Sequence, residues 1–352
     1  MVSLRILIIA SEAPPRVSGV AKSIGEIADG LRQRGHEVVV FSSADAPGLR
    51  WDRIRVSSAM TRIDSVLDND GPFDIINIHG PAPSISDLAL LRFTKWSRGA
   101  KVVYTHHFSL HFGKWFADFA GRLYELAFRR VAKRCDAIIT TTREYAAPFQ
   151  RAGLPVVVIP WGHDGDRFFP GTREYTGSDP LRILAVGQFR RYKGMAVAVR
   201  AVLGQPDLSL TLVGEGAVLS SVLQQIPTSS TNVRHFGRVS DEELGPLMRE
   251  QDVILLPSKT RAEAFGIVLL EGMASGCVPV ASSLPGVREV VGTVGVTAKP
   301  GDEDSLRDAL LSLARRPEEV SRLRKEAIVW SESFTWERTV DAYEALFLRL
   351  VQ

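Results

Sequence analysis

The segment Gln251–Ala281, QDVILLPSKTRAEAFGIVLLEGMASGCVPVA, constrains this chain more than any other. It opens on an apolar run, Gln251–Ser258, that ends in a Pro-Ser turn, and it returns to strand character at Cys277–Ala281. Between them a helix should begin around Phe265-Gly266-Ile267-Val268. Glu263 and Glu271 stand on either side of that start, with seven residues between them. A short apolar run bounded by turn residues reads as a buried strand, and strand–turn–helix–strand is the repeating unit of a parallel sheet. The N–H groups at the helix start point back at the turn, which makes the turn an anion site. Two carboxylates beside an anion site suit a ligand that carries both phosphate and hydroxyls, a description that a nucleotide sugar fits.

The same alternation runs along the chain twice. Leu4–Ala10 reads as a buried strand, followed by a polar loop Ser11–Gly19 and a helix Val20–Arg34 that stops at Gly35. Short β runs follow at Glu37–Phe41, Asp74–His79, Lys101–Thr105, Ala137–Thr141 and Val156–Pro160, with helices near Ile85–Trp96 and Arg122–Arg134. Trp161–Pro180 has the Gly, Pro and Asp density of a linker. The pattern restarts with strand Arg182–Val186, helix Gly194–Val202, strand Ser209–Val213, helix Val218–Gln225 and strand Asn232–Phe236. Helix Asp241–Glu250 and strand Val253–Leu256 complete it. Such alternation implies right-handed crossovers and parallel sheets covered on both faces. At 352 residues the chain is longer than one core serves. The expectation is two doubly wound α/β domains, residues 1–165 and 166–335.

Composition narrows the class. With 45% hydrophobic and 24% charged residues the chain is a folding one, not a disordered one. Its two cysteines, Cys135 and Cys277, fall in different halves, so a structural disulfide is not expected and a cytoplasmic setting fits. The apolar start ends at Ala10 and reads as a strand, not a signal peptide. No apolar run is long enough to span a bilayer. A formal net charge of +3 without a recognised binding module argues against nucleic acid.

In sheets of this kind ligands bind beyond the carboxyl ends of the strands. Four loops there carry chemistry. Ser18-Gly19 precedes the first helix, where the glycine serves either a phosphate or a simple tight turn. VGQFRRYKG (Val186–Gly194) sets Arg190, Arg191 and Lys193 after a strand, as a departing diphosphate needs; an exposed basic loop is the plainer reading. LVGEG (Leu212–Gly216) lacks the third glycine of a dinucleotide fingerprint, because Leu219 stands there. THHFSLHF (Thr105–Phe112) holds His106, His107 and His111. No nearby Cys or carboxylate completes a metal set with them. His106, the first after the strand, is the one expected to meet a sugar hydroxyl or a reacting group.

These residues together resemble the retaining nucleotide-sugar glycosyltransferases of family 4 (glycosyl transferases group 1). RAEAFGIVLLEGMASGCVPVAS resembles their double-glutamate signature, LRILIIASEAPPRVSGVAKSIGEIADGLRQRGHEV their opening strand, loop and helix, and VIPWGHDGDRFFP their interdomain segment. VGQFRRYKG resembles the diphosphate loop, NVRHFGRVSDEEL and DVILLPS the approach to the glutamates, and FTWERTVDAYEALFLRLV the closing helix. The resemblance implies a GT-B fold of two Rossmann-like domains facing a central cleft, the first completed by a C-terminal helix at about 336–352. It implies that Glu263 binds the donor sugar and stabilises positive charge at the anomeric carbon. Lys193 and His106 are the other catalytic residues it implies, Lys193 at the diphosphate and His106 at the sugar. Phe265, Gly266, Ile267 and Val268 would offer backbone amides, Glu271 would hold the ribose, and Gly19 would meet the diphosphate. Arg238 and Val239 would lie near the nucleobase.

Three positions depart from the family pattern. Gln188 stands where an arginine is common, with Arg190 or Arg191 to supply the charge; Ser18 replaces the first of two glycines; and Trp161 replaces an asparagine. The implied reaction passes a hexosyl group, with retention, from a UDP- or GDP-linked sugar to a glycan or lipid-linked acceptor of the cell-envelope or exopolysaccharide type. Neither metal nor cofactor is expected. Between Arg92 and Arg134 stand ten Lys or Arg, two acids (Asp118 and Glu125) and ten aromatics, including Trp96, Phe112, Trp115, Phe116 and Phe119. Either the segment meets an anionic membrane at the inner leaflet, or its aromatics pack inside the first domain under solvated charges. Two further classes stay open: a sugar-nucleotide epimerase, and a non-catalytic nucleotide-sugar-binding partner of another transferase.

Overall fold

The computed structural model describes residues 2–14, 18–42, 63–81, 85–95, 97–108, 126, 128 and 130–352. The chain divides into two compact units, Met1–Trp161 with Trp336–Gln352, and Gly162–Thr335. The two cysteines are free and buried, one in each unit. No helix among the described residues is long and apolar enough to cross a membrane.

Unit 1 is a parallel sheet of β1 (Arg5–Ala10), β2 (Glu37–Ser42), β3 (Ile75–Gly80), β4 (Lys101–His106), β5 (Ala137–Thr140) and β6 (Val156–Val158), in the order β2-β1-β3-β4-β5-β6. The runs RILIIA and IINIHG form strands because a sheet covered on both faces takes continuous apolar sequence. One face packs Leu7, Ile9, Ile76, Ile78 and Tyr104 with Phe128 and Phe149. The other packs Ile6, Ile8 and Val103 under the helix Gly19–Gln33 and the C-terminal helix Trp336–Val351. Ile24, Ile27, Ala28 and Leu31 make the buried stripe of the first helix. Gly30 lets the two helices meet, since a Cβ there would lie 2.5 Å from the Val340 side chain. Arg34 then bridges to Asp341 at 2.6 Å and Glu344 at 3.2 Å.

Unit 2 is a second parallel sheet of β7 (Leu181–Val186), β8 (Leu208–Val213), β9 (Val233–His235), β10 (Val253–Leu256), β11 (Val278–Ser282) and β12 (Val296–Ala298), in the order β12-β11-β10-β7-β8-β9. Read outward from β7, this is the doubly wound order of dinucleotide-binding sheets, while unit 1 has the order of flavodoxin-like ones. The expected helix Gly194–Val202 begins differently. A 3-10 turn, Arg191–Lys193, precedes the α-helix Met195–Val202, with Gly194 left-handed at φ 72° between them. The break follows from a close approach: a Cβ on Gly194 would sit 1.9 Å from the carbonyl oxygen of Pro257. In unit 1 the expected helix Ile85–Trp96 ends at Phe93. Of the expected helix Arg122–Arg134, residues 126, 128 and 130–132 are helical and much of the remainder lies outside the described residues.

Candidate active site

Unit 2 reverses its strand order between β7 and β10, and in sheets of this kind ligands bind beyond the strand ends at such a point. The loop after β7 carries Gln188, Arg190 and Lys193, and the loop after β10 carries Ser258 and Glu263. Backbone contacts stitch these loops together: Gly194 lies against Pro257, and the Lys259 amide donates to the Tyr192 carbonyl at 2.6 Å. The stitching brings together two side chains seventy residues apart. Lys193 Nζ donates to Glu263 Oε2 at 2.6 Å, and the Ser258 hydroxyl donates to the same oxygen at 3.0 Å. Burial alone would push the Lys193 ammonium down, but the Glu263 charge and hydrogen bond, with Tyr192, outweigh it and hold the lysine above its usual range. The lysine charge is therefore kept through neutral pH. Arg190 is exposed on the same loop and opposes that pull.

The helix Ile267–Ala274 starts beside this pair. Its N-cap is Gly266, left-handed at φ 86°, and no side chain caps it. The first amides of a helix have no intrahelical acceptor, so this end offers N–H groups and a partial positive charge to an anion. Phe265 and Ile267 are buried and Val268 half-buried at the same start. Gly272 lets the helix lie against β10, since a Cβ there would meet Ile254 at 2.5 Å. Glu271, one residue before, is buried, and its charge reaches His163. Burial lowers the His163 imidazole below its usual range, against the pull of its Ser331 and Asp164 hydrogen bonds and of the Glu271 and Asp164 charges.

The neighbouring loops are joined backbone to backbone. Phe189 N–H donates to Glu215 at 2.8 Å and Gly214 N–H to Gly237 at 2.7 Å. The glycines of LVGEG permit this: a Cβ on Gly214 would lie 2.1 Å from the Gly187 oxygen. They are packing glycines, in keeping with the incomplete fingerprint. Arg238 is exposed and Val239 half-buried on the loop after β9.

In unit 1 the order reverses between β1 and β3. Gly19 opens the helix there, but Ser18 caps it: its hydroxyl accepts the Ala21 amide at 3.1 Å and donates to Glu12 at 2.6 Å. A carboxylate thus already stands at this helix end. The histidines divide between the two faces of β4. Successive residues of a strand face opposite ways, and His106 falls on the Tyr104 face. Its ring lies 5.0 Å from Phe149 and 5.9 Å from Phe128, among core aromatics. His107 falls on the Thr105 face, where its Nε2 is 3.0 Å from Nδ1 of His79. Burial holds both imidazoles low, His79 to about 3, with the His79 and His106 charges adding to the effect on His107. His107 Nδ1 is buried with no hydrogen-bond partner among the described residues. A polar atom left so costs roughly 1–3 kcal/mol and asks for an explanation. His111 lies outside the described residues.

The aromatic-basic segment divides. Phe93, Tyr104 and Phe128 are core residues of unit 1 and Phe108 is half-buried. Trp96, Phe112, Trp115, Phe116, Phe119 and Tyr124, with Asp118 and Glu125, lie outside the described residues. Arg92 and Arg98 bridge to Asp64 and Asp68 at 3.3 and 2.7 Å.

Comparison with known proteins places this geometry. Residues 17–167 match the model of glycosyltransferase family 4, and residues 173–330 match that of glycosyl transferases group 1. A phosphatidyl-myo-inositol mannosyltransferase of Mycobacterium tuberculosis is 30% identical over 321 residues, covering 84% of this chain and 82% of that protein. The chain belongs to glycosyltransferase family 4. Solved structures agree on the fold, which is GT-B. The sucrose-phosphate synthase of Thermosynechococcus elongatus superposes with a TM-score of 0.83 at 19% identity, covering 99% of each chain. Anabaena HepE, solved in complex with UDP and glucose, gives 0.70 at 17% identity, covering 98% of this chain and 99% of that one.

For this glycosyltransferase, the residues that sequence reasoning passed over are Ser258, Glu12, His163, Asn77, His79 and His107. Two of the signals were present. Asn77 and His79 stand two apart in the apolar run IINIHG, as Thr105 and His107 do at the end of KVVYTHH. Polar residues at strand period in a buried strand mark a polar stripe on one face.

Proposed function

We propose that this enzyme transfers a hexosyl group, with retention at the anomeric carbon, from a nucleoside-diphosphate sugar to a hydroxyl of a glycan or lipid-linked acceptor. The observation that carries the proposal is the Lys193–Glu263–Ser258 cluster beside the uncapped start of the helix Ile267–Ala274. A departing diphosphate gains negative charge while the sugar gains oxocarbenium character. Lys193 and the helix amides of Ile267 and Val268 meet the first, and Glu263 meets the second, oriented by Ser258. One such preorganised partner supplies roughly 3–4 kcal/mol of barrier lowering. Arg190 supplies the charge that Gln188 lacks, Glu271 holds the ribose, and Arg238 and Val239 flank the base. In unit 1, His107 takes the role expected of His106 and donates to a substrate oxygen.

With Lys193 as the cation at the diphosphate, we propose that transfer needs no metal, so a chelator should leave the rate unchanged. The lipid-modifying mycobacterial relative and the UDP and glucose in HepE support a lipid-linked acceptor and a nucleotide donor. Mannose is the first hexose to try. Peripheral binding at the inner membrane face is the accompanying proposal, and no sedimentation with anionic vesicles would remove it. The decisive assay incubates the full chain with UDP- and GDP-linked hexoses and lipid-linked or glycan acceptors, and reads the product anomer by NMR. A product of inverted configuration overturns retention. Epimerised donor without an acceptor, or nucleotide binding without turnover on any acceptor, overturns transfer.

A further inference from the structure

Five buried polar side chains of unit 1 form one continuous chain of hydrogen bonds. Tyr343 Oη lies 3.4 Å from Thr105 Oγ1, and Thr105 donates to Asn77 Oδ1 at 3.0 Å. Asn77 Nδ2 lies 3.0 Å from His79 Nε2, and His79 Nδ1 lies 3.0 Å from His107 Nε2. None of the five is more than 2% exposed. The C-terminal helix supplies Tyr343, β3 supplies Asn77 and His79, β4 supplies Thr105, and His107 follows β4 directly.

The donor and acceptor inventory gives this chain a direction. The Asn77 carbonyl oxygen is taken by the Thr105 hydroxyl, so its amide nitrogen faces His79, and an amide nitrogen only donates. His79 Nε2 must therefore be the acceptor, which leaves the proton of a neutral imidazole on Nδ1. That proton is directed at His107 Nε2, which must accept in turn, so the His107 proton sits on Nδ1. Thr105, having donated to Asn77, accepts from Tyr343. Every bond thus points the same way, from the buried tyrosine to His107. The last donor of the chain, His107 Nδ1–H, is the atom with no acceptor among the described residues. Burial keeps both imidazoles neutral, as the directional chain requires.

We propose that Asn77 and His79 are positioning residues which, through this chain, hold His107 in the Nδ1–H tautomer with its ring fixed, so that it presents a preset donor to a substrate oxygen. The inference rests on the transfer reading and deepens it. A histidine in the other tautomer would offer a lone pair to the same oxygen, turning an attraction into a repulsion. Trp161, whose ring centroid is 5.2 Å from that of His107, packs against the ring that the chain orients.

The test is a long-range proton–nitrogen NMR correlation on the full chain with labelled histidine, the His107 signals being identified by their loss in His107→Gln. In the wild type, His107 and His79 should both show a protonated Nδ1 and an unprotonated Nε2. A proton on His107 Nε2 overturns the proposal without any variant being made. Asn77→Leu and His79→Phe should let His107 exchange between tautomers. They should lower kcat about tenfold to a hundredfold, the range for lost partners that orient a histidine. KM for the donor and the thermal shift with nucleoside diphosphate should stay unchanged. His79→Gln, whose amide can accept from Asn77 and donate to His107, should restore most of the rate. Folded Asn77→Leu and His79→Phe with wild-type kcat would overturn the proposal. If no acceptor is ever turned over, the transfer reading fails while the tautomer measurement still stands or falls by itself.

Discussion

The two sheets each reverse their strand order once, and each places a glycine-led helix near that point, yet the two helix starts are finished differently. In unit 1 the start at Gly19 is closed by its own chain, with Ser18 on the Ala21 amide and Glu12 on Ser18. In unit 2 the start at Ile267 has a left-handed glycine for its cap and no side chain on its amides. Beside it stands a lysine whose charge is held by Glu263. Both ends carry the same partial positive charge from aligned peptides. One meets an internal carboxylate arrangement and the other is left without a side-chain cap. The two ends are thus distinguished less by the glycine than by what else already sits there.

The comparison breaks most visibly in activity. Lys193→Ala and Glu263→Gln should each lower kcat by roughly a hundredfold to a thousandfold, the loss typical of one electrostatic partner of a transition state. Glu12→Gln, at the closed end, should stay within a few-fold. Steady-state rates on one donor and acceptor pair decide it, and equal losses at both ends would erase the distinction. Nucleotide binding reads the same contrast at equilibrium. A nucleoside diphosphate at a hundred times its dissociation constant should stabilise the wild type by about 2.7 kcal/mol. Glu271→Ala should lose most of that in a thermal-shift assay, and a full shift in the variant would remove the ribose role.

Gly266→Ala attacks the open end directly. Its φ of 86° is left-handed, and an added Cβ would lie 2.5 Å from the Leu256 side chain. The variant should unfold about 1–2 kcal/mol more easily by chemical denaturation, and its nucleotide shift should shrink with it. Unchanged stability would mean that the helix start can be rebuilt without the glycine.

Acid probes the buried histidines of unit 1. His79 is held neutral down to about 3 against an ordinary 6.5, so the folded chain binds its proton later than the unfolded one does. That contribution is complete above pH 6.5 and is lost as pH falls toward 3. The slope is at most about 1.4 kcal/mol per pH unit for each such histidine. His107 is shifted the same way. Stability measured by chemical denaturation between pH 7 and 4 should therefore fall steadily, and His79→Phe should flatten the curve. A wild-type curve no steeper than that of His79→Phe would mean that His79 is not kept neutral.

Legibility in the sequence followed the range of the interactions. The alternation of strands and helices, the open helix start and the two glutamates are local patterns, and all were readable from Gln251–Ala281 and its counterparts. Which loops meet is not local. Lys193 reaches Glu263 only because β10 lies next to β7, and no pattern along the chain states that neighbourhood. The histidines pose a smaller problem. His106 ends β4 and His107 follows it, and choosing between them requires knowing which face is polar. The spacing of Asn77 with His79, and of Thr105 with His107, carried that information.

The smallest expected effect tests the closed end by opening it. Ser18→Ala removes the oxygen that satisfies the Ala21 amide and the proton that holds Glu12, and losing such a cap costs about 1 kcal/mol. The thermal midpoint should fall by a few degrees, while the nucleotide-induced shift should match the wild type. Resemblance to the family places a diphosphate at Gly19, and this variant puts that placement to a direct test. If Ser18→Ala or Glu12→Gln changes nucleotide affinity more than the measurement error, the first helix does serve the ligand and Glu12 must move aside when it binds. If neither does, the anion is carried by the helix start at Ile267 with Lys193, and Ser18 belongs to the stability of unit 1 alone.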